Sequence, residues 1–137
     1  DLLRTFKEFS QDTQLLRGLP ITAVETIANL LCAVQVKEDT LLIKEGTWPV
    51  GFYLICEGEA DVYKGGNFFR IGSKVSRVSP GTFLGETSVI MRQKASASVI
   101  SRTPMTLCAL SRELFEYVYN SHQAFALEID KICARRS

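Results

Sequence analysis

Histidine is nearly missing from this chain: His122 stands alone, near an expected helix start, with no second imidazole or cysteine close by in the sequence. That scarcity excludes a histidine-rich metal centre and leaves no Ser–His or Cys–His couple for nucleophilic catalysis. Ser96 and Ser98 lie in no nucleophile turn, and neither has a nameable acid–base partner. The segment is therefore expected to be non-catalytic, with no metal and no cofactor.

Cysteine is sparse as well. Cys32, Cys56, Cys108 and Cys133 are too far apart for close metal-ligand pairing and too few for a small disulfide scaffold. Free, mostly buried thiols in a reducing compartment are the expectation. Excess charge of one sign is lacking: 16 basic against 15 acidic side chains leave a net charge of +1. No broad field gathers nucleic acid or an anionic membrane, so a charged ligand must be caught locally. No apolar run approaches the roughly 20 residues that span a bilayer, and the N-terminus lacks the regions of a signal peptide. A cytoplasmic fragment of a longer polypeptide is expected, whose parent protein can itself be membrane-associated. Its expected partners are neighbouring domains of that polypeptide, met through the terminal helices, and not nucleic acid.

What is present suits one core. The chain has 137 residues, of which 46% are hydrophobic and 23% charged, enough for one domain spanning 1–137. Leu2, Leu3, Phe6 and Phe9 recur at helical spacing and predict an N-terminal helical extension over 1–12. Val24, Ile27, Ala28, Leu31 and Cys32 predict a second helix over 21–36, introduced by Gly18-Leu19-Pro20. The period then changes to two, with strands expected over 40–43, 52–56, 60–63, 68–71, 74–78, 97–100 and 105–110, about eight in all. Ala60, Val62 and the stem of Lys64 are expected to share one face. Glycine-rich turns at Gly46, Gly58 and Gly65-Gly66 separate the strands. Over 111–137 helices return, with Ser111 and Ser121 as expected caps and Phe125, Ile129, Ile132 and Cys133 on one stripe. The pattern predicts an α+β fold, a barrel or jelly roll of about eight strands flanked by N-terminal and C-terminal helices.

The stretch from Phe83 to Val99, FLGETSVIMRQKASASV, carries the richest site chemistry. Gly85 lets backbone N–H groups approach an anion, Glu86 can accept hydrogen bonds from sugar hydroxyls, and a short helix starting near Glu86 or Thr87 would aim unpaired N–H groups at a phosphate. The same residues also suit a plain glycine turn with a capping glutamate.

Leu15-Leu16-Arg17-Gly18-Leu19, Ile43-Lys44-Glu45-Gly46, the run from Phe52 to Val62, the Phe83–Val99 stretch and Leu110 to Phe115 together resemble the cyclic nucleotide-binding domain family over roughly 13–134. The resemblance implies that Phe83–Val99 is a phosphate-binding cassette within an eight-stranded antiparallel jelly-roll barrel, and that a C-terminal helix transmits ligand binding. It makes Gly85 and Glu86 the cassette glycine and ribose-contacting glutamate, and Thr87 and Ser88 the start of the cassette turn. Ser96 falls beside the phosphate, where a hydroxyl is associated with preference for cyclic GMP. The family's phosphate-binding arginine falls on Ala95, and alanine cannot neutralise a phosphate; Arg92 and Lys94 are the nearby substitute clamps.

The resemblance thus implies a regulatory domain of a larger signalling protein, such as a cyclic-nucleotide-dependent kinase, with weak or no nucleotide binding. Two alternatives stand beside it: a working cyclic GMP or cyclic AMP sensor with a substitute clamp, and a protein-interaction module without a small ligand, for which Trp48 and the terminal helices are the first surfaces. Tyr117, Tyr119 and Phe125 suit helix packing better than a lid over a base, and Arg135-Arg136 suits a solvated helix end.

Overall fold

A computed structural model describes residues 20–49, 51–67, 69–85, 88 and 91–136. The expected helix over 1–12 lies outside the described residues, as do Glu86, Thr87 and the side chains of Ile132, Cys133, Arg135 and Arg136. The chain runs α1 (Ile21–Leu30), β1 (Cys32–Val36), β2 (Leu41–Ile43), β3 (Gly51–Glu57), β4 (Ala60–Gly65), β5 (Gly72–Val78), β6 (Phe83–Leu84), β7 (Ser98–Ser101), β8 (Met105–Ser111), α2 (Arg112–Ser121) and α3 (Gln123–Arg136).

The eight strands form two antiparallel sheets of four, ordered β1-β8-β3-β6 and β2-β7-β4-β5. This overturns the expected closed barrel: among the described residues no strand of one sheet pairs with a strand of the other. Closure needs edge strands long enough to exchange a ladder, and the edges β6 and β2 have only two and three residues. The architecture is a jelly-roll-like β-sandwich with flanking helices.

Two further expectations are corrected. The helix starting at Ile21 stops at Leu30, and Cys32–Val36 is a strand whose register runs from Cys32 opposite Ala109 to Val36 opposite Met105. Phe69 to Ile71 is not a strand; the pairing starts at Gly72. The two-residue β6 was not expected at all.

Three layers result. The inner strands β3 and β8 of the first sheet are buried on both sides, which explains the unbroken apolar run Phe52-Tyr53-Leu54-Ile55-Cys56 in β3, whereas the edge strand β1 is exposed. Phe52, Leu54, Cys56, Cys108 and Leu110 pack with α1, α2 and α3 through Ile27, Phe115, Val118, Phe125 and Ile129. Ile55, Leu84, Met105 and Leu107 turn the other way and meet Ile43, Ala60, Ala95 and Val99 between the sheets. Phe115 is the keystone of the helical layer, fully buried, stacked on Phe52 at 4.3 Å and edge-on to Phe125 at 5.8 Å. Ser111 caps α2, its Oγ accepting from the Leu114 N–H at 3.3 Å, as expected of a serine at that position.

Cys56 and Cys108 are free and buried, with Sγ atoms 2.7 Å apart, whereas Cys32 is exposed. The contact with Cys108, together with burial, pushes the Cys56 thiol well above its ordinary value.

The β4–β5 hairpin that walls one side of the sandwich is held by charge. Asp61 Oδ1 receives Lys74 Nζ at 3.1 Å and Arg77 Nε at 3.2 Å. Burial pushes Asp61 up, but the two cations prevail and hold it below the ordinary carboxylate range. Folding therefore favours the ionised form. Its contribution is fully present above the unfolded-state value of about 3.9 and is lost as pH falls through the lower folded value. Asp61→Asn is expected to lower the urea midpoint at pH 7, with the gap to the parent closing as the pH falls below about 4. A gap that stays constant with pH would show that the ion pairs are not its source.

Candidate functional site

The cassette is placed by its two ends. At the first, β6 lies beside β3 and leads into Gly85, whose φ of +90° is a left-handed conformation. A Cβ there would meet the Gly51 carbonyl oxygen at 2.5 Å, so backbone approaches backbone where only glycine fits. Ser88 and Met91 are helical, and Arg92 ends the turn with φ +53°. The Gln93 N–H then donates to the Ser88 carbonyl at 3.2 Å, the six-to-one closure expected when a helix stops on a left-handed residue. At the second end, Ala95 docks on the Gly46-Thr47 turn: its N–H donates to the Thr47 carbonyl and its carbonyl accepts from the Gly46 N–H, both at 2.8 Å. Ser98 Oγ accepts from the Glu45 N–H at 2.9 Å, and the Glu45 carboxylate accepts from the Gly66 N–H at 2.9 Å. One glutamate thus ties the cassette exit to the β4–β5 turn.

Between these anchors lies a cavity of about 330 Å³, lined by Ile43, Leu84 and Val99, by Val62 and Lys64 of β4, by β5, and by Gly85, Ser88, Ala95 and Ser96 of the cassette. Gly85, Ser88, Ala95 and Ser96 therefore come together at one cavity. Glu86 and Thr87 lie outside the described residues. Arg92 and Lys94 are exposed, and neither lines the cavity. Ala95 is only 7% exposed and belongs to the apolar cluster between the sheets. The Ala95 side chain is a piece of hydrocarbon wall, and its backbone polar groups are already committed.

Lys64 was not anticipated as a site residue, although the shared face of Ala60, Val62 and Lys64 was the available signal. Val62 and Lys64 do line the cavity together, and Lys64 is the one charged residue on its wall among the described residues. Of the aromatic residues considered, Phe125 is buried against Phe115, Tyr119 stacks on Phe115 and donates to Asp130 at 2.6 Å, and Tyr117 is exposed. Trp48 is 49% exposed, with the Arg112 guanidinium carbon 5.6 Å from its ring centroid. Among the described residues no helix is long and apolar enough to cross a membrane.

A two-sheet sandwich with a glycine-started cassette beside a small cavity, backed by helices, defines a jelly-roll-like domain with one candidate ligand site among the described residues. Residues 33–122 match the model of the cyclic nucleotide-binding domain, and the chain belongs to that family. It is 30% identical over 113 residues to a cAMP-dependent protein kinase regulatory subunit of Pyricularia oryzae, a match that covers 82% of this chain and 28% of that protein. Among solved structures it resembles the regulatory domain of Toxoplasma gondii PKA with cAMP, at a TM-score of 0.82 and 20% identity over 96% of this chain and 49% of that one. It also resembles the regulatory subunit of a cAMP-independent protein kinase A from Trypanosoma cruzi bound to guanosine, at 0.79 and 22% over 93% and 43%. Those two likenesses establish the fold. The chain spans about half the length of the first and less than a third of the fungal subunit.

Proposed function

We propose that this domain is a regulatory module of a larger kinase-associated signalling protein, in which the family's cavity persists but its phosphate anchor is gone. One observation carries the reading: Ala95 stands buried in the apolar wall at the arginine position, with its N–H and carbonyl both paired to the Gly46-Thr47 turn. A phosphate placed there would lose its water and gain neither a guanidinium fork nor a free N–H from this residue. Charge-assisted hydrogen bonds are worth about 1.5–3 kcal/mol each, so losing the fork costs about 10²-fold in affinity or more. The domain then acts by positioning its neighbours: α2 and α3 share a core with the first sheet, so what those helices contact is coupled to the packing of the sandwich.

Calorimetric titration of the 137-residue chain with cyclic GMP and with cyclic AMP, carried to millimolar ligand, tests this directly. The expected result is no saturation in the micromolar range for either. Saturable micromolar binding would overturn the reading. Support for looking beyond cyclic nucleotides comes from the relatives, since the T. cruzi subunit is described as cAMP-independent and bound to guanosine.

A further inference from the structure

Cys56 and Cys108 meet inside the helical layer, 3% and 0% exposed, with their Sγ atoms 2.7 Å apart. A disulfide bond is about 2.05 Å long, so the sulfurs need to close by only about 0.7 Å to become bonded. The fold brings them together from 52 positions apart in the sequence. Cys108 lies on β8 opposite Leu54, and Cys56 is the residue that the β3 ladder skips between Ile55 and Glu57. Such an extra residue has no ladder partner of its own, and the strand bends at it. Packing alone does not need this arrangement. The two thiols share their cluster with Phe52, Leu54, Leu110 and Phe115, where any pair of small apolar side chains would fill the space, and cysteine differs from those chiefly in its reactivity. Among the described residues no group of His, Cys, Asp or Glu is placed to hold a metal ion, so the chemistry open to the two thiols is with each other.

We infer that Cys56 and Cys108 form a redox site, at which hydrogen peroxide joins them in a disulfide that staples β3 to β8 beneath α2 and α3. One sulfur attacks the peroxide O–O bond and keeps one oxygen as a sulfenic acid, while the other oxygen leaves as water. The second sulfur then attacks the first: an S–S bond forms, the S–O bond breaks and a second water leaves. Two thiols thus give up two hydrogens and two electrons, and one peroxide becomes two waters. Burial sets the rate. The thiolate is the form that attacks and apolar surroundings disfavour it, so the reaction waits on local opening of the helical layer. The exposed Cys32 is free of that delay, but it lies opposite Ala109, which offers no second sulfur. Where a thiol pool keeps cysteines reduced, a disulfide of this kind is transient and reports an oxidant. Its consequence is mechanical. Phe115, Val118, Phe125 and Ile129 of α2 and α3 share the thiols' cluster, so a bond formed in the floor of that layer slows its opening. Oxidant is thereby linked to the helices of this layer without any nucleotide.

The test treats the folded 137-residue chain with hydrogen peroxide in slight excess, blocks the remaining thiols with iodoacetamide and maps the peptides by mass spectrometry. The thermal unfolding midpoint and hydrogen exchange are measured before and after, and Cys108→Ala is carried in parallel. Expected is a joined Cys56–Cys108 peptide, lighter than its two parts by the two lost hydrogens. The midpoint should rise by about 10 °C, as closing a loop of this 52-residue separation implies. Exchange should slow in α2 and α3, and dithiothreitol should reverse all three changes. Cys108→Ala should show none of them, and the peptide map of the parent decides the matter even if that variant does not fold. Both thiols still open to alkylation in unfolded, quenched samples after Cys32 has been fully oxidised would overturn the inference. So would Cys56 joined to a different cysteine, or a Cys56–Cys108 peptide that arises only when peroxide is added in urea. A joined pair with midpoint and exchange unchanged would overturn the link to the helices.

Discussion

Replacing Ala95 by arginine is expected to raise the affinity for cyclic GMP and cyclic AMP by about 10²-fold or more, the largest gain of binding open to a single substitution here. The position lies on the cavity wall, so the new side chain has the cavity in front of it. Its fork can meet two phosphate oxygens at once, which lysine cannot do. The backbone need not change, because the pair of 2.8 Å hydrogen bonds with the Gly46-Thr47 turn involves main-chain atoms only. Calorimetry on Ala95→Arg and on Ala95→Leu separates charge from bulk: the arginine variant should bind and the leucine variant should not. Unaltered cyclic nucleotide affinity in a folded Ala95→Arg protein would show that the missing arginine is not what limits binding.

Phe115→Ala is expected to lower stability by about 3–5 kcal/mol, as for a fully buried aromatic whose cavity cannot collapse. The ring touches the sheet through Phe52 and the last helix through Phe125, and Tyr119 stacks beside it at 6.5 Å. Its removal therefore loosens α2 and α3 from the sandwich together. Urea unfolding followed by circular dichroism checks the magnitude. Hydrogen exchange on the same variant should show protection lost first in Arg112–Arg136, with β4 and β5 least affected. A loss below about 1 kcal/mol would mean that the helical layer is held by other contacts and that Phe115 is not the link between sheet and helices.

Much of this was legible before any coordinates. The strand runs of β3, β4, β7 and β8 are legible because one or both faces of each strand are buried, and burial writes its pattern into the sequence, unbroken in β3 and alternating in β4. The Ser111 cap and the burial of Phe125 and Ile129 in α3 followed from equally local rules. Cys32–Val36 was misread because Leu31 and Cys32 continue the helical spacing of Val24, Ile27 and Ala28, and nothing local says that β8 waits to pair with this segment. β6 escaped notice because two residues carry no period, and only the neighbouring β3 makes them a strand. The closed barrel was a topological guess that hydrogen bonding between strands distant in sequence decided against.

The candidate site divides in the same way. The cassette pattern named Gly85, Ser88, Ala95 and Ser96, and these four line one cavity. That Arg92 and Lys94 do not line the cavity and that Lys64 does came only from three-dimensional placement.

The sequence by itself determined the family and the two-period alternation of helix and strand, because each of these is a matter of residue type and spacing along the chain. Tertiary structure decided that the sheets stay open, that Ala95 is wall and not merely vacant, and which side chains face the cavity. Those outcomes depend on the direction in which a side chain leaves a turn and on ladders joined across the fold, and neither quantity has a local signature.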